Sequence, residues 1–388
     1  MDALILSCGT GGGHNSAGAA VAEELIRRSF SVETLDPYSL AGDGVAHKVG
    51  NAYIKLIQKS PRTFGLLYGA AQGVRNIPFH SPVYWANALI AERMAAYLSH
   101  RHFDVAVMPH LFPAEIFTYM KEHGYNVPKS VFIATDYTCI PFTEETCCDY
   151  YITPSPLLSE DFIRRGIPAD KLRPFGIPVR SQFHNPGTKA QARKRLALDA
   201  TQPYILLSGG SIGAGKLEGA IACLLQSAQF QIIAICGNND ALYARLSRQY
   251  AGCKKLQLIK STPDIADYMR ACDLYISKPG GLSSTEAAVM GIPLAHYSPI
   301  PGCESFNMQF FTEHGMALRA DKDNLYETTQ KLMDPENAQA MIRNQKEYIN
   351  AGAATEIGNF IESLCRSQRQ EDAQPFFHMR NDAQMALS

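Results

Sequence analysis

Residues 6–25, "LSCGTGGGHNSAGAAVAEEL", follow on from an apolar run, "ALIL" at 3–6, and then place small and apolar residues at helical spacing from Ser16 through Val21 to Leu25. Gly9 to Gly13 therefore read as a strand-to-helix turn. Glycine lets a ligand approach the backbone closely, and the free N–H groups of a helix start attract negative charge. Gly9, Gly11 and His14 fill only the first two positions of the dinucleotide fingerprint, although Asp36 ends the next strand-like run, "SVETLD". No Gly-Lys-Ser/Thr follows, so the turn is not a phosphate loop of the ATPase type. By itself it leaves three readings open: a nicotinamide or flavin site, a structural turn, or a site for some other ligand.

Further apolar runs extend the pattern in both halves of the chain. "FDVAVMPH" (103–110), "KSVFIATD" (129–136) and "DYYITPS" (149–155) alternate with helical stretches, as expected of α/β layering. A second series comprises "YILLSGGS" (204–211), "FQIIAICGNN" (230–239), "KLQLIK" (255–260), "DLYISKPGG" (273–281) and "IPLAHY" (292–297). Pro, Gly and polar residues interrupt the pattern over 176–203. The sequence thus predicts two Rossmann-like domains, 1–182 and 183–388, with a loose polar tail from about Arg366. A chain of 388 residues is long enough for two cores, and a formal net charge of −1 argues against general affinity for nucleic acid. Its ten cysteines include no C-x-x-C pair, which fits a reducing compartment without a zinc site. There is no signal-peptide pattern and no apolar run of about 20 residues, so the expected location is cytoplasmic or peripheral to a membrane.

Open α/β sheets bind ligands at the C-terminal ends of their strands. Two more glycine-rich turns occupy such ends, "LLSGGSIGAGK" (206–216) and "ISKPGGLSSTEAAVMGIP" (276–293), and both would face one cleft. In the second, Pro279, Gly280 and Gly281 shape the loop. Ser283, Ser284 and Thr285 at a helix start suit a diphosphate, and Glu286 suits the hydroxyls of a ribose. The same residues also make an N-cap cluster followed by a first-turn acid.

Four ordered motifs carry a family resemblance: "GTGGGHNSA" (9–17), "ATDY" (134–137), "GIPVRSQF" (176–183) and "KPGGLSSTEAAVMGIPLAHYSPIPGCESFN" (278–307). Over roughly residues 3–365 the chain resembles the monogalactosyldiacylglycerol synthase and processive diacylglycerol glucosyltransferase family. More distantly, the late segment is similar to the transferase that adds N-acetylglucosamine to the lipid-linked peptidoglycan precursor. The resemblance implies a GT-B glycosyltransferase that moves a hexose, glucose or galactose, from a UDP-sugar to diacylglycerol or a related lipid. It implies a donor site at Gly209, Gly210, Ser211, Gly237, Asn238, Ile265 and Lys278 to Gly281. Ser283 to Glu286 belong to the same site, with Glu304 and Asn307 near the sugar hydroxyls. Cys303 stands where many members carry Gln, which leaves the choice of sugar open. In "TDYTCIPFTEET", Ile140 takes a position often held by histidine, and the tryptophan of other members is absent, which leaves the acceptor open.

An inverting transfer must remove one proton from the acceptor and steady a departing diphosphate. His14, on the turn Gly11 to Gly13, is the candidate base, and Asp136 is its competitor or its orienting partner. A core or capping role for His14 and a loop-capping role for Asp136 are the structural alternatives. The D-x-D triplet Asp321 to Asp323 reads as a solvated loop, so neither metal nor cofactor is expected. Between Asp43 and Glu92 no acidic residue occurs, whereas Lys48, Lys55, Lys59, Arg62 and Arg75 lie among Phe64, Tyr68 and other aromatics. That stretch is the expected docking surface for an anionic membrane, on the inner face of the cell membrane. Its alternative is a core helix holding Trp85, Leu89 and Met94. Other functions to weigh are a soluble UDP-sugar transferase or epimerase and a non-catalytic nucleotide-sugar-binding protein.

Overall fold

The computed structural model describes residues 1–373 apart from 10, 43, 47, 49, 51–60, 74–79, 185–186, 212, 214–215 and 228, and does not describe the side chains of 61, 62, 64, 67, 72 and 371–373. Its strands form two separate six-stranded sheets. The first contains β1 (Asp2–Leu6), β2 (Ser31–Leu35), β3 (Val105–Met108), β4 (Lys129–Ile133), β5 (Tyr150–Ile152) and β6 (Leu172–Arg173). The second contains β7 (Tyr204–Ser208), β8 (Gln231–Ile235), β9 (Leu256–Ile259), β10 (Leu274–Ser277), β11 (Leu294–Tyr297) and β12 (Leu318–Ala320). Every neighbouring pair is parallel. Parallel strands covered on both faces need continuous apolar runs, and "VAVM" of β3 and "YILLS" of β7 are buried along their whole length. Each large side chain so buried contributes about 1.5–3 kcal/mol. The edge strands β6 and β12 have no counterpart among the sequence runs, because two and three residues are too few to show a period.

Strand order decides where the site lies. The first sheet runs β2-β1-β3-β4-β5-β6 and the second β12-β11-β10-β7-β8-β9. The chain therefore reverses direction across the sheet between β1 and β3 in one half, and between β7 and β10 in the other. A crevice opens beyond the strand ends at each reversal. Gly9 to His14 follow β1, and Pro109 and His110 follow β3. In the other half Gly209 to Ser211 follow β7, and Lys278 to Gly281 follow β10.

The last helix, Ala353–Ala373, belongs to the second half in sequence but packs on the first sheet. Ile357, Ile361 and Cys365 are fully buried in one cluster with Ala3, Ile5, Val21 and Leu25. Arg28 pairs with Glu362 at 2.8 Å, and the Arg369 guanidinium donates two hydrogen bonds to Asp104, at 3.1 and 2.9 Å. The polar stretch after Arg366 is thus helical through residue 373, and the remainder lies outside the described residues. At the change-over, Arg180 donates to Glu23 at 2.7 Å and so ties the linker to the first helix, Gly12–Arg27.

Candidate active site

The two crevices face each other across a cleft of about 420 Å³. From the first half its wall takes Gly11, Gly12, Gly13, His14 and Asp136. From the second it takes Gly210, Ser211, Gly237, Asn238, Ile265, Lys278, Gly280, Gly281, Ser283, Glu286 and Glu304. Gly209, Pro279, Ser284, Thr285 and Asn307 are not among the residues that line it. For the two hydroxyl residues the reason is clear. Ser284 Oγ meets His296 Nε2 at 2.9 Å, while Thr285 Oγ1 donates to Gly281 O at 2.7 Å and meets the Tyr137 hydroxyl at 2.8 Å. Both hydroxyls are engaged within the protein. Ser16, Thr135, Ser261, Thr262 and Tyr275 also line the cleft and were not singled out from the sequence. Thr135 had a visible signal, since it directly precedes Asp136 in "ATDY".

The first helix begins at Gly12, earlier than its apolar spacing predicts, so His14 stands in the first turn of the helix. Its Nδ1 lies 2.9 Å from the carbonyl oxygen of Pro109 and 2.8 Å from Thr135 Oγ1. A carbonyl only accepts, so Nδ1 carries the hydrogen and Nε2 of the neutral ring keeps its lone pair. Burial lowers the His14 pKa below its ordinary 6.5, and the Asp136 charge and the Pro109 hydrogen bond offset this only in part. His110, which no sequence motif singles out, packs its ring against His14 with centroids 4.5 Å apart and planes at 83°. The backbone N–H of Phe112 donates to His110 Nδ1 at 3.1 Å, which assigns the His110 hydrogen to Nε2. Burial, and then the neighbouring His14, hold the His110 pKa well below the ordinary value. The result is a neutral imidazole with a free lone pair, held between a carbonyl, a hydroxyl and a second neutral ring.

The opposite wall is built around charge. Lys278 pairs with Glu304, whose other oxygen accepts the Ile300 N–H at 2.8 Å. Burial opposes the ammonium charge, but the Glu304 carboxylate outweighs it and raises the Lys278 pKa. Glu286 is buried at the far end, where desolvation pushes its carboxyl up to about 7. Burial likewise pushes the Cys303 thiol well above its usual range, with Asp136 adding to the effect. The walls also touch each other directly. Ser16 Oγ donates to Glu286 Oε1 at 3.1 Å, and the Gly12 N–H donates to Ser211 Oγ at 2.9 Å. At Gly281 a Cβ would stand 2.0 Å from the Thr135 carbonyl oxygen, so only glycine permits this approach.

Asp321 and Asp323 lie on an exposed loop away from the cleft wall, where the Asp321 carboxylate accepts the N–H groups of Asp323 and Asn324. Among the described residues no three His, Cys, Asp or Glu side chains gather as a metal site would require. Of the expected membrane surface, Lys55 and Lys59 lie outside the described residues, as do the side chains of Arg62 and Phe64. Tyr68 is half-buried on the helix Pro61–Gly73. The core-helix alternative holds for Met94, which is fully buried, but not for Trp85 and Leu89, which are 55% and 74% exposed.

The sequence model of monogalactosyldiacylglycerol (MGDG) synthase matches residues 14–179, and that of the glycosyltransferase family 28 C-terminal domain matches residues 204–357. A relative from Bacillus pumilus (strain SAFR-032), named processive diacylglycerol beta-glucosyltransferase, is 24% identical over 366 residues, covering 92% of this chain and 94% of its own. Among solved structures, MurG of Acinetobacter baumannii superposes with a TM-score of 0.60 at 16% identity, covering 93% of this chain and 99% of that one. The UDP co-structure of S. aureus MnaA gives a TM-score of 0.63 at 12% identity, over 93% and 96%. These structural likenesses carry the two-domain fold alone. With the fold, the order of the motifs and the tandem domains in agreement, the chain carries an MGDG synthase domain followed by a glycosyltransferase family 28 C-terminal domain on a GT-B fold, and along its length is similar to the processive diacylglycerol glucosyltransferases.

Proposed function

We propose that the protein moves a hexose, glucose or galactose, from a UDP-sugar to diacylglycerol or a related membrane lipid with inversion at the anomeric carbon. The observation that carries the mechanism is His14, held neutral on the cleft wall with its Nε2 lone pair free. In the proposed step the acceptor hydroxyl oxygen bonds to the anomeric carbon. Its proton passes to His14 Nε2, and the bond from carbon to the diphosphate breaks, with the electron pair leaving on UDP. Asp136 stabilises the imidazolium that forms. On the donor side, Glu286 accepts hydrogen bonds from the ribose hydroxyls. The helix start at Gly281 and the charged Lys278 meet the diphosphate, while Glu304 orients the sugar. No metal or cofactor is assigned a role in this scheme.

In this reading residues 1–182 meet the acceptor and the membrane, and 183–388 hold the nucleotide-sugar, with the last helix returning to brace the first half. The acid-free stretch 44–91 supports peripheral docking on an anionic surface, on the cytoplasmic face of the cell membrane. No described helix is long and apolar enough to cross a membrane. The test incubates the purified protein with diacylglycerol liposomes and a panel of labelled UDP-sugars, then separates the lipids by chromatography. Labelled glycolipid is expected, and sugar transfer only to water-soluble acceptors would contradict the lipid assignment. Replacing Lys55, Lys59 and Arg62 with Gln should lower co-sedimentation with anionic liposomes, and added salt should mimic the change. Salt-insensitive binding that survives the triple substitution would remove this surface.

A further inference from the structure

Asn307 lies on the helix Cys303–Glu313 of the second half and is 0% exposed. A carboxamide offers two N–H donors and one carbonyl acceptor, and the protein itself engages all of them. Nδ2 donates to Asp136 Oδ1 at 2.7 Å and to the Pro279 carbonyl at 3.0 Å, while Oδ1 accepts the Tyr137 N–H at 2.6 Å. The orientation of the amide follows from its partners. A carbonyl cannot donate and a backbone N–H cannot accept, so Nδ2 must face Pro279 and Oδ1 must face Tyr137. Both N–H groups are therefore engaged, and the amide does not line the cleft.

The partners come from both halves of the molecule. Pro279 belongs to the glycine turn after β10, whereas Asp136 and Tyr137 follow β4 of the first sheet. The same loop is anchored to the second half elsewhere. The Tyr137 ring stacks on Phe310 at 4.6 Å and meets Phe311 edge-on at 5.0 Å, and the Thr135 carbonyl sits against Gly281. The charge of Asp136 acts on His14, Lys278 and Cys303, and that of Glu304 acts on the last two.

We propose that Asn307 is a positioning residue that fixes the Asp136 carboxylate from the donor-binding half, so that the His14–Asp136 pair is complete only when the two halves are closed on each other. The inference rests on the transferase reading above. It moves Asn307 from sugar contact to the alignment of the acceptor side, and leaves sugar choice to Glu304, Lys278 and Cys303. Because Asp136 is held by a residue of the opposite half, activation of the acceptor depends on the presence of the donor-binding wall.

The experiment compares wild type, Asn307→Ala and Asn307→Asp as full-length proteins. It uses UDP-glucose and UDP-galactose with diacylglycerol liposomes, and measures UDP-glucose affinity separately by calorimetry. Asn307→Ala should lower kcat by about 10- to 100-fold, change UDP-glucose affinity less than about twofold, and leave the glucose-to-galactose ratio unchanged. In an Asp136→Asn background the same substitution should cost less than about threefold, because the group it positions is already lost. Asn307→Asp keeps the volume and the acceptor for the Tyr137 N–H but sets a second carboxylate against Asp136. Its kcat should fall as rising pH removes the proton the pair shares, a limb absent from wild type. Weaker UDP-glucose binding by Asn307→Ala at unchanged kcat would restore the sugar contact and overturn the proposal. A lowered melting temperature with unchanged kcat would also overturn it, leaving a purely structural role. If Asn307→Ala does not fold, an Asn307→Asp pH profile matching wild type overturns it as well. A wild type that binds UDP-glucose but transfers nothing fails the transferase reading itself, and the inference with it.

Discussion

The turn after β1 delivers one titratable side chain to the cleft, His14, from the first turn of its helix. The turn after β10 delivers a lysine just before its helix and a carboxyl five residues beyond the helix start. Both are glycine-rich strand-to-helix turns at the reversal point of a parallel sheet, yet their electrostatics are opposed. On the first wall burial works on imidazoles and keeps them neutral: His14 is lowered, and His110 is driven well below the ordinary range. On the second wall an ion pair overcomes burial, and Lys278 stays charged against Glu304. A wall that must take a proton needs a neutral base, whereas one that must hold a diphosphate needs retained positive charge and open N–H groups. In the proposed mechanism the same supersecondary unit serves both ends, because the residues around it, rather than the turn, set the charge state.

Substitutions can break this contrast one wall at a time. The largest effect is expected for His14→Ala. It should reduce turnover by about 10²- to 10⁴-fold, as for a lost general base, while UDP affinity measured by calorimetry stays within a factor of two. Near-normal turnover at saturating donor and lipid would shift the base role to Asp136. Gly281→Ala strikes where the walls meet, since its Cβ would press on the Thr135 carbonyl. Forcing that contact apart displaces Asp136 from the donor half, and kcat should fall by about 10- to 100-fold, because misplacement of about 1 Å is enough for such a loss. Unchanged kcat in a folded protein would mean that the approach of the walls is not needed for catalysis.

On the donor wall, Glu286→Ala should weaken UDP-sugar binding by about 1–3 kcal/mol, the usual loss for charge-assisted hydrogen bonds, with kcat at saturation little changed. UDP-glucose has no titrating phosphate near neutrality. Its affinity for wild type should therefore rise as pH passes upward through about 7 and the Glu286 carboxylate forms. A flat profile would detach Glu286 from the ribose. The smallest effect concerns stability. The folded-state pKa of Glu286 is raised from 4.5 to about 7, so between those values the folded protein holds a proton that the unfolded chain has released, and stability falls as pH rises through the window. Glu286→Gln carries no such cost. Its apparent melting temperature should exceed that of wild type by a few degrees at pH 8 but not at pH 5. An equal gain at both values would point to packing instead.

Much of this architecture was legible in the chain itself. Strands buried on both faces leave unbroken apolar runs, and glycine turns at their ends mark the cleft, which is why His14 and Glu286 can be named from the turns, whereas the family resemblance names Asp136 and Lys278; all four line the cleft. What supports them left no such trace. Pro109, whose carbonyl fixes the His14 tautomer, is 95 positions away, and the Ser16–Glu286 contact spans 270. Neither separation has a period or a motif. The partners of the Ser284 and Thr285 hydroxyls left no trace for a related reason. A hydroxyl at a helix start looks the same in sequence whether it faces a ligand or a neighbouring His296. The last helix reads as a continuation of the second half, because only the packed sheet reveals the apolar stripe of Ile357 and Ile361 against the first.

In the proposed mechanism His14 acts as a neutral base whose pKa the first wall has lowered. The most direct test of this role is the pH dependence of kcat at saturating UDP-glucose and lipid, where the titration of Glu286 in the free protein no longer enters. The profile should lose activity on the acid side through a single proton, with a midpoint below 6.5. Asp136→Asn should move that midpoint further down, because it removes the charge that favours the imidazolium. A midpoint above 6.5, or an acid limb that persists unchanged in the residual activity of His14→Ala, would contradict the account.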